Sequence, residues 1–375
     1  MKSGGGGVKI VVPLSEFNRK MSSISSVVPS KTTMPVLSTV LVSAEEEGIT
    51  LSATDLDISV TAKLEGEVEE KGSISAPARK LAEISKSLSG EGVTLETENE
   101  RVKVSCGRSR FSVIGRPAED FPKVPKQDVK SEFEVDRKLL SDMISKTSYA
   151  VSTDLTRPAL CGVLWKVSKQ GLAMVATDGH RLAKVEVNLD IEVTQKAEVI
   201  VPIKTLNALR VFSEGDEKVK VGIGENSIRF ELKGALIYSR LLEGPFPNYQ
   251  RVIPTGNDKE LVVSRDLLAE ATKRVSILSD AMTHQVIFSI GENKLTLNVT
   301  TKDVGEAIEE LEASYSSEPM EIGYNANYIM DVLKTIDSDD VRFLLDRPDN
   351  AALIKPGEES QGMKHMCIIM PLRLS

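Results

Sequence analysis

Aromatic side chains are scarce in this chain. They make up 4% of its 375 residues, so hydrophobic cores have to be assembled from Val, Leu, Ile and Met. Cysteine is scarcer still: Cys106, Cys161 and Cys367 are odd in number, far apart, and form no CxxC pair. That usage argues against a disulfide framework or a zinc ribbon and for a reducing, cytoplasmic setting. No apolar run approaches the length of a membrane span, and the N-terminus lacks the charged-then-apolar order of a secretory signal. Enzyme signatures are missing too: no Gly-x-Ser-x-Gly elbow, phosphate loop, HExxH helix or calcium loop occurs. The three histidines, His180, His284 and His365, lie far from one another, so neither a metal site nor a cofactor is expected. Basic residues are the minority, 47 Lys and Arg against 55 Asp and Glu for a net charge of −8. On its face that disfavours a nucleic-acid partner.

What the chain does have is nearly the same text three times. An apolar strand runs into an amphipathic helix over 8–28, 132–151 and 261–278. With Pro13, Asp136 and Ser264 as helix starts, the spacing is 123 and then 128 residues. A second, short helix begins near Pro77, Pro202 and Asn325, which is 64, 66 and 61 residues after each first start. Between the helices, Ala53-Thr54-Asp55 recurs as Ala176-Thr177-Asp178 and, degraded, as Val299-Thr300-Thr301. The repeats close on Phe121-Pro122, Phe246-Pro247 and Met370-Pro371. A period of about 125 is too long for a solenoid and suits a domain. The repeat sets domains at 8–127, 128–256 and 257–375, with linkers at 122–130 and 254–258. Residues 1–7 (MKSGGGG) read as a flexible leader. One active site needs no triplication; a surface or a ring does.

The segments between helices alternate apolar and polar with period two over 102–105, 219–223, 228–232 and 295–299, and Gly224-Glu225-Asn226 and Gly291-Glu292-Asn293 supply hairpin turns. Each repeat therefore reads as antiparallel sheet backed by two helices, an α+β arrangement. At 41% apolar and 27% charged residues, each can bury a core of its own.

The helices carry apolar stripes at helical spacing: Phe17, Met21, Ile24 and Val28, then Leu140, Met143 and Ile144, then Leu268, Ala271, Val275 and Leu278. Lys138, Asp142 and Lys146 follow at i, i+4 and i+8 on the opposite, solvent-facing side of the middle one. The second helices bury Leu81, Ile84 and Leu88, then Leu206 and Leu209, then Ile329, Val332, Leu333 and Ile336. Charge is segregated onto these helices. The segments 13–31, 77–89, 136–151, 202–213, 264–278 and 325–336 sum to +8, which leaves −16 for the rest of the chain. One basic helix face reads equally as a solvated surface. Its recurrence through the repeats points to a polyanion that the protein encloses. Arg19, Lys20, Lys31, Arg79, Lys80, Lys204 and Arg210 are the cations placed to contact it.

Thr177-Asp178-Gly179-His180-Arg181-Leu182 allows three readings. Asp178 could orient His180 as a general base; Asp178 and Gly179 could make a plain turn; or the segment could serve recognition. Taken with Phe246–Pro254 (FPNYQRVIP) and Met370–Leu374 (MPLRL), it resembles the bacterial DNA polymerase III β subunits, the replicative sliding clamps. Pro77–Lys80 (PARK), Gly107–Ser112 (GRSRFS) and Ala53–Leu56 (ATDL) agree in order and spacing, and the resemblance spans Val8 to Leu374.

The resemblance implies a head-to-tail homodimeric ring of six similar domains, with helices lining the hole and sheets outside. Such a ring encircles duplex DNA without reading its sequence. It tethers polymerase, clamp loader and repair proteins through short peptides, and it catalyses nothing. Carried over by motif, the peptide pocket comprises Leu160, Thr177, Gly179, His180, Arg181, Leu182, Pro247, Arg251, Val252, Ile368, Met370, Pro371, Leu372 and Arg373. The apolar members would take a short anchor, and Arg181, Arg251 and Arg373 would meet polar peptide groups. The dimer interface would set Arg108, Arg110, Phe111 and Val113 against Ile277, Leu278, Glu306 and Glu309 of the other chain. Pro158-Ala159 replaces aromatics that some relatives carry near DNA, so no DNA contact is assigned there, and 346–353 receives no pocket role. Two other classes stay open at this level: an enzyme using Asp178 and His180, and a peptide scaffold with no DNA role.

Overall fold

The structure is a computed structural model that describes residues 7–123, 129–189, 192–213, 215, 217–360 and 362–374. The expected leader apart from Gly7, and the heart of the first linker with its 127/128 boundary, lie outside the described residues. Six α-helices appear among the described residues: α1 (Leu14–Ser25), α2 (Ala78–Ser87), α3 (Arg137–Ser148), α4 (Ile203–Phe212), α5 (Arg265–Val275) and α6 (Ala326–Leu333). Each begins one residue after the start expected from the repeat. Proline explains half of them: Pro13, Pro77 and Pro202 are last residues of strands, where a missing N–H ends the ladder. At α6, the Asn325 side chain instead accepts the N–H groups of Asn327 and Tyr328.

The apolar stripes are buried as expected: Phe17, Met21 and Ile24 on α1, Leu140, Met143 and Ile144 on α3, Leu206 and Leu209 on α4. Ile84 and Leu88 are only half-buried, and Ala82 and Ser85 share the inner face of α2 with Leu81. Lys146 departs from expectation. It is buried, not solvated: its ammonium lies 3.0 Å from Asp142 and 2.5 Å from Asp337, and donates to the Thr335 carbonyl at 3.1 Å. Helical spacing put it beside Asp142 but could not foresee a partner 191 residues away. Burying an ammonium demands such partners.

The described residues form two compact units, 1–138 with 204–241, and 139–203 with 242–375. The first holds a five-stranded sheet ending at Ser109–Ile114 and a nine-stranded sheet; the second holds a twelve-stranded sheet. Within the first unit, Ile58–Leu64 of the first repeat pairs antiparallel with Ala235–Arg240 of the middle repeat. Within the second, Arg181–Asn188 of the middle repeat pairs in the same way with Met363–Ile369 of the third. The Gly224 and Gly291 hairpins form where the sequence puts them, joining Lys218–Ile223 to Ser227–Leu232 and Gln285–Gly291 to Lys294–Thr301.

Candidate groove, basic helix faces and free sheet edges

The repeated Ala-Thr-Asp text is one turn built twice. Thr177 Oγ1 donates to the Arg181 carbonyl at 2.7 Å and accepts the Gly179 N–H at 3.1 Å. Asp178 Oδ1 accepts the His180 and Arg181 N–H groups at 2.9 and 3.0 Å. In the first repeat Thr54 Oγ1 likewise donates to the Ile58 carbonyl and accepts the Leu56 N–H, while Asp55 Oδ1 accepts from Asp57 and Ile58. The residue after Asp has positive φ in both, +95° at Gly179 and +81° at Leu56. Asp178 is thus consumed by backbone and by Arg181 Nε at 3.0 Å, and no Asp178–His180 dyad forms.

Arg181 is also tied into its own chain. Its guanidinium donates to Asp331 at 2.8 Å and to the Tyr149 carbonyl at 2.7 Å, and stacks 4.4 Å from the Tyr328 ring centroid. Three of its five N–H donors are engaged in this way, so it braces the turn. Tyr149 is half-buried, and its hydroxyl donates to Cys367 Sγ at 3.1 Å, with His365 Nε2 3.3 Å from the same sulfur. Burial pushes the Cys367 thiol up to about 12, so it is inert filling.

The turn leads into a row across the sheet. Thr177 faces Leu182, Leu182 faces Ile368, Ile368 faces Leu353, and Leu353 faces Leu344. Leu182, Ile368 and Leu353 are buried together with Leu164, Val175, Ile200 and Tyr249, and Phe246 and Ile253 pack on them. Phe246 and Tyr249 meet edge-to-face at 6.4 Å, and Lys166 Nζ stands 5.2 Å from the Tyr249 ring. Around this apolar floor, Val252 and Met370 are 53% and 43% exposed, with Pro247, Arg251 and His180 also at the surface. Leu160 is buried next to Ala159, which packs on the cluster. The tail leaves the row at once: the Leu372 N–H donates to the Gly323 carbonyl at 2.7 Å, and Gln285 Nε2 to the Arg373 carbonyl at 3.2 Å. Leu353, Leu344 and Tyr249 were missed from sequence. Period-two alternation marks their strands but does not say which face lies beside another repeat.

In the first unit the expected cations fall into two groups. Arg79 and Lys31 are exposed and without an ion pair among the described residues, and Arg210 is exposed on α4. Arg19 is held by Glu16 at 2.5 Å, Lys80 by Glu83 at 2.7 Å, and Lys20 turns towards Glu16 and the Gly234 turn. Lys204 does more than face outward: its ammonium binds Asp55 and the Val27 carbonyl, tying α4 to the turn of the first repeat.

Several strands end a sheet or are only partly paired among the described residues, and two of them carry exposed large apolar side chains. Ser109–Ile114 ends its sheet and pairs on one side only. Gly305–Ser314 pairs fully with Lys294–Thr301, but on its other side only Ala313 and Ser314 are matched. Large apolar residues stand out on both: Phe111 is 37% and Ile114 68% exposed on the first, Val304 63% and Ile308 62% at the second. Ile277 is 78% exposed nearby, whereas Leu278 packs partly into its own core. Glu309, expected to meet the other chain, is already bound by Arg274 of its own chain, which holds its carboxyl below the usual range.

Family models for the DNA polymerase III beta subunit match the chain in order: the N-terminal domain over residues 8–125, the central domain over 134–248 and the C-terminal domain over 250–373. The beta sliding clamp of Caulobacter vibrioides is 35% identical over 98% of this chain and 100% of its own length. That of Escherichia coli is 31% identical over 98% of this chain and 100% of its own. A solved DNA polymerase III subunit beta from Bartonella birtlesii, bound to griselimycin, covers 98% of this chain and 100% of its own at 33% identity with a TM-score of 0.92. With three repeated α+β domains and matches along its whole length, the chain belongs to the DNA polymerase III beta subunits, the beta sliding clamps.

Proposed function

We propose that two copies of this chain close head to tail into a ring around duplex DNA, acting as a non-catalytic processivity factor that tethers polymerase and other DNA-processing proteins by short peptides. The carrying observation is the exposed apolar residues on two incompletely paired strands, Ser109–Ile114 and Gly305–Ser314. The strand that leaves the turn in the first repeat and the one that does so in the middle repeat each find a partner in the following repeat. In the third repeat Gly305–Ser314 is matched on its second side only at Ala313 and Ser314, and Ser109–Ile114 in the first pairs on one side only. A heterologous contact of this kind, repeated by a twofold axis, closes a ring.

The internal joins supply a register for the seam. From Glu132, successive strand partners are Gly222, Arg229, Tyr238 and Ser59; from Glu260 they are Leu344, Leu353, Ile368 and Leu182. The same count from Lys9 gives Glu96, Lys103 and Ser112. Glu306 faces Thr300 as Ser59 faces Thr54, so Glu306 would oppose Ser112 of the other chain. Ala307 then opposes Phe111, and Arg110 falls among Glu306, Ile308 and Glu310. The domains take the bounds 8–127, 128–256 and 257–375, and three free cysteines support a cytoplasmic setting.

The basic faces of α1, α2 and α4 would neutralise phosphates without reading bases, which sliding requires. The groove over Leu182, Ile368 and Leu353 would take the peptide anchor, with Met370 and Val252 adapting at its rim. The test is a Phe111→Cys, Ala307→Cys variant in a Cys161→Ser background, treated with a short bis-maleimide linker. A covalently closed dimer with two cross-links is expected on a denaturing gel; monomer or open-ended ladders would contradict the closed ring.

A further inference from the structure

The join between the first two repeats and the join between the last two share a backbone but not a surface. The row Leu182–Ile368–Leu353–Leu344 at the second join has Ser59–Tyr238–Arg229–Gly222 as its equivalent at the first, and each row ends on a glutamate, Glu260 or Glu132. Backbone bonds fix the match: the Met370 N–H donates to the His180 carbonyl at 2.9 Å and the Arg240 N–H to the Asp57 carbonyl at 2.8 Å. Met370, at the rim of the groove, therefore has Arg240 as its counterpart.

Both joins keep an ion pair on the row's glutamate, Arg342 with Glu260 at 3.6 Å and Lys220 with Glu132, but where the second is apolar at Leu353 the first carries the charge of Arg229. Arg229 Nη2 lies 3.2 Å from Glu132 and 2.7 Å from Glu231, and Lys220 Nζ lies 2.9 Å from Glu132. An apolar anchor docking on this row would have to break those pairs and strip their water while offering no partner in return. We propose that Arg229 and Arg240, with Ser59 and Tyr238, are specificity-determining residues that close the first join to peptides. Each chain then offers one docking groove although its sheets build two such joins. This rests on the second join being the docking groove.

The experiment transplants the apolar row. A fluorescein-labelled peptide bearing a Gln and a Leu-Phe anchor pair is titrated into the full-length wild type. The same titration is made with the variant Ser59→Leu, Arg229→Leu, Tyr238→Ile, Arg240→Met, whose dimer mass is confirmed by sedimentation. The expected result is one peptide per chain in the wild type and two in the variant. A folded variant that still takes one overturns the proposal and leaves the docking groove standing; a wild type that takes none overturns both. Should the fourfold variant not fold, Leu353→Arg alone places the first join's arginine in the groove. Its affinity should fall by at least about tenfold, and unchanged affinity overturns the proposal.

Discussion

Arg181 Nη1 lies 2.8 Å from Asp331 Oδ2, and that contact pins the turn of the middle repeat to α6 of the third. Lys204 and Asp55 make the equivalent tie between the first two repeats, with the charges exchanged. In the third repeat Thr301 replaces the aspartate and donates to the Leu278 carbonyl of its own chain at 2.6 Å. Removing Arg181 takes one donor from each of Asp178, Asp331 and the Tyr149 carbonyl, while Asp178 keeps its backbone N–H partners and Asp331 keeps Lys334 at 3.1 Å. Breaking a buried pair costs about 3–5 kcal/mol, and Asp331, 31% exposed, brings the expectation to the lower end. Arg181→Ala should therefore lower the denaturation midpoint and weaken peptide binding by disturbing Leu182. Lys should not rescue it, because the planar fork serves three acceptors at once. An unchanged midpoint would contradict this bracing role.

Acid should destabilise the second unit through His365. Burial and the nearby Lys146 ammonium push this imidazole down to about 4 from 6.5, with Asp337 opposing. The unfolded chain then takes up a proton that the folded one refuses. Stability is complete above pH 6.5 and falls as pH drops towards 4, by up to about 3 kcal/mol. His365→Gln should flatten urea-melt stability between pH 6.5 and 4.5; an equally steep loss in that variant would assign the effect elsewhere.

DNA affinity should depend on salt through the helix-face cations. Each phosphate left without its cation reduces the log–log slope by about 0.9, so Lys20→Ala, Arg79→Ala and Lys80→Ala together should flatten it, as read by fluorescence anisotropy over a salt series. The weakening should be the same for unrelated duplex sequences. Lys204→Ala should in addition lower stability, since it also holds Asp55. A slope unaltered by the triple substitution would move the DNA to another surface.

The seam should be separable from the fold. Ile114 and Ile308 are exposed in the single chain, so Ile114→Asp with Ile308→Asp should give a folded monomer by sedimentation. Ile277→Ala acts in the same direction, since burying such a side chain is worth about 1.5–3 kcal/mol at each seam. Leu278→Ala mixes the two effects because Leu278 also fills its own core. An intact dimer in the double aspartate variant would rule out these edges.

Much of the fold was legible because the repeat let each copy check the others. Pro13, Pro77 and Pro202 marked strand ends, and the apolar spacing of α1, α3 and α5 named their buried faces. What stayed hidden depends on contacts across repeats. Lys146 looked solvated until Asp337 and Thr335 met it. The ties of Arg181 to Asp331 and the Tyr149 carbonyl could not be read from its motif. Leu353 belongs to the groove through its pairing with Ile368, and a strand's own alternation carries no record of its neighbour.

Topological enclosure of DNA is the central claim, and linearisation tests it most directly. The clamp is loaded onto a nicked plasmid circle with clamp loader and ATP, separated from free protein by gel filtration, and the circle is then cut once. The account predicts that the protein stays on the intact circle and runs off the cut one at the same salt. Equal retention on both, or equal loss from both, would contradict it.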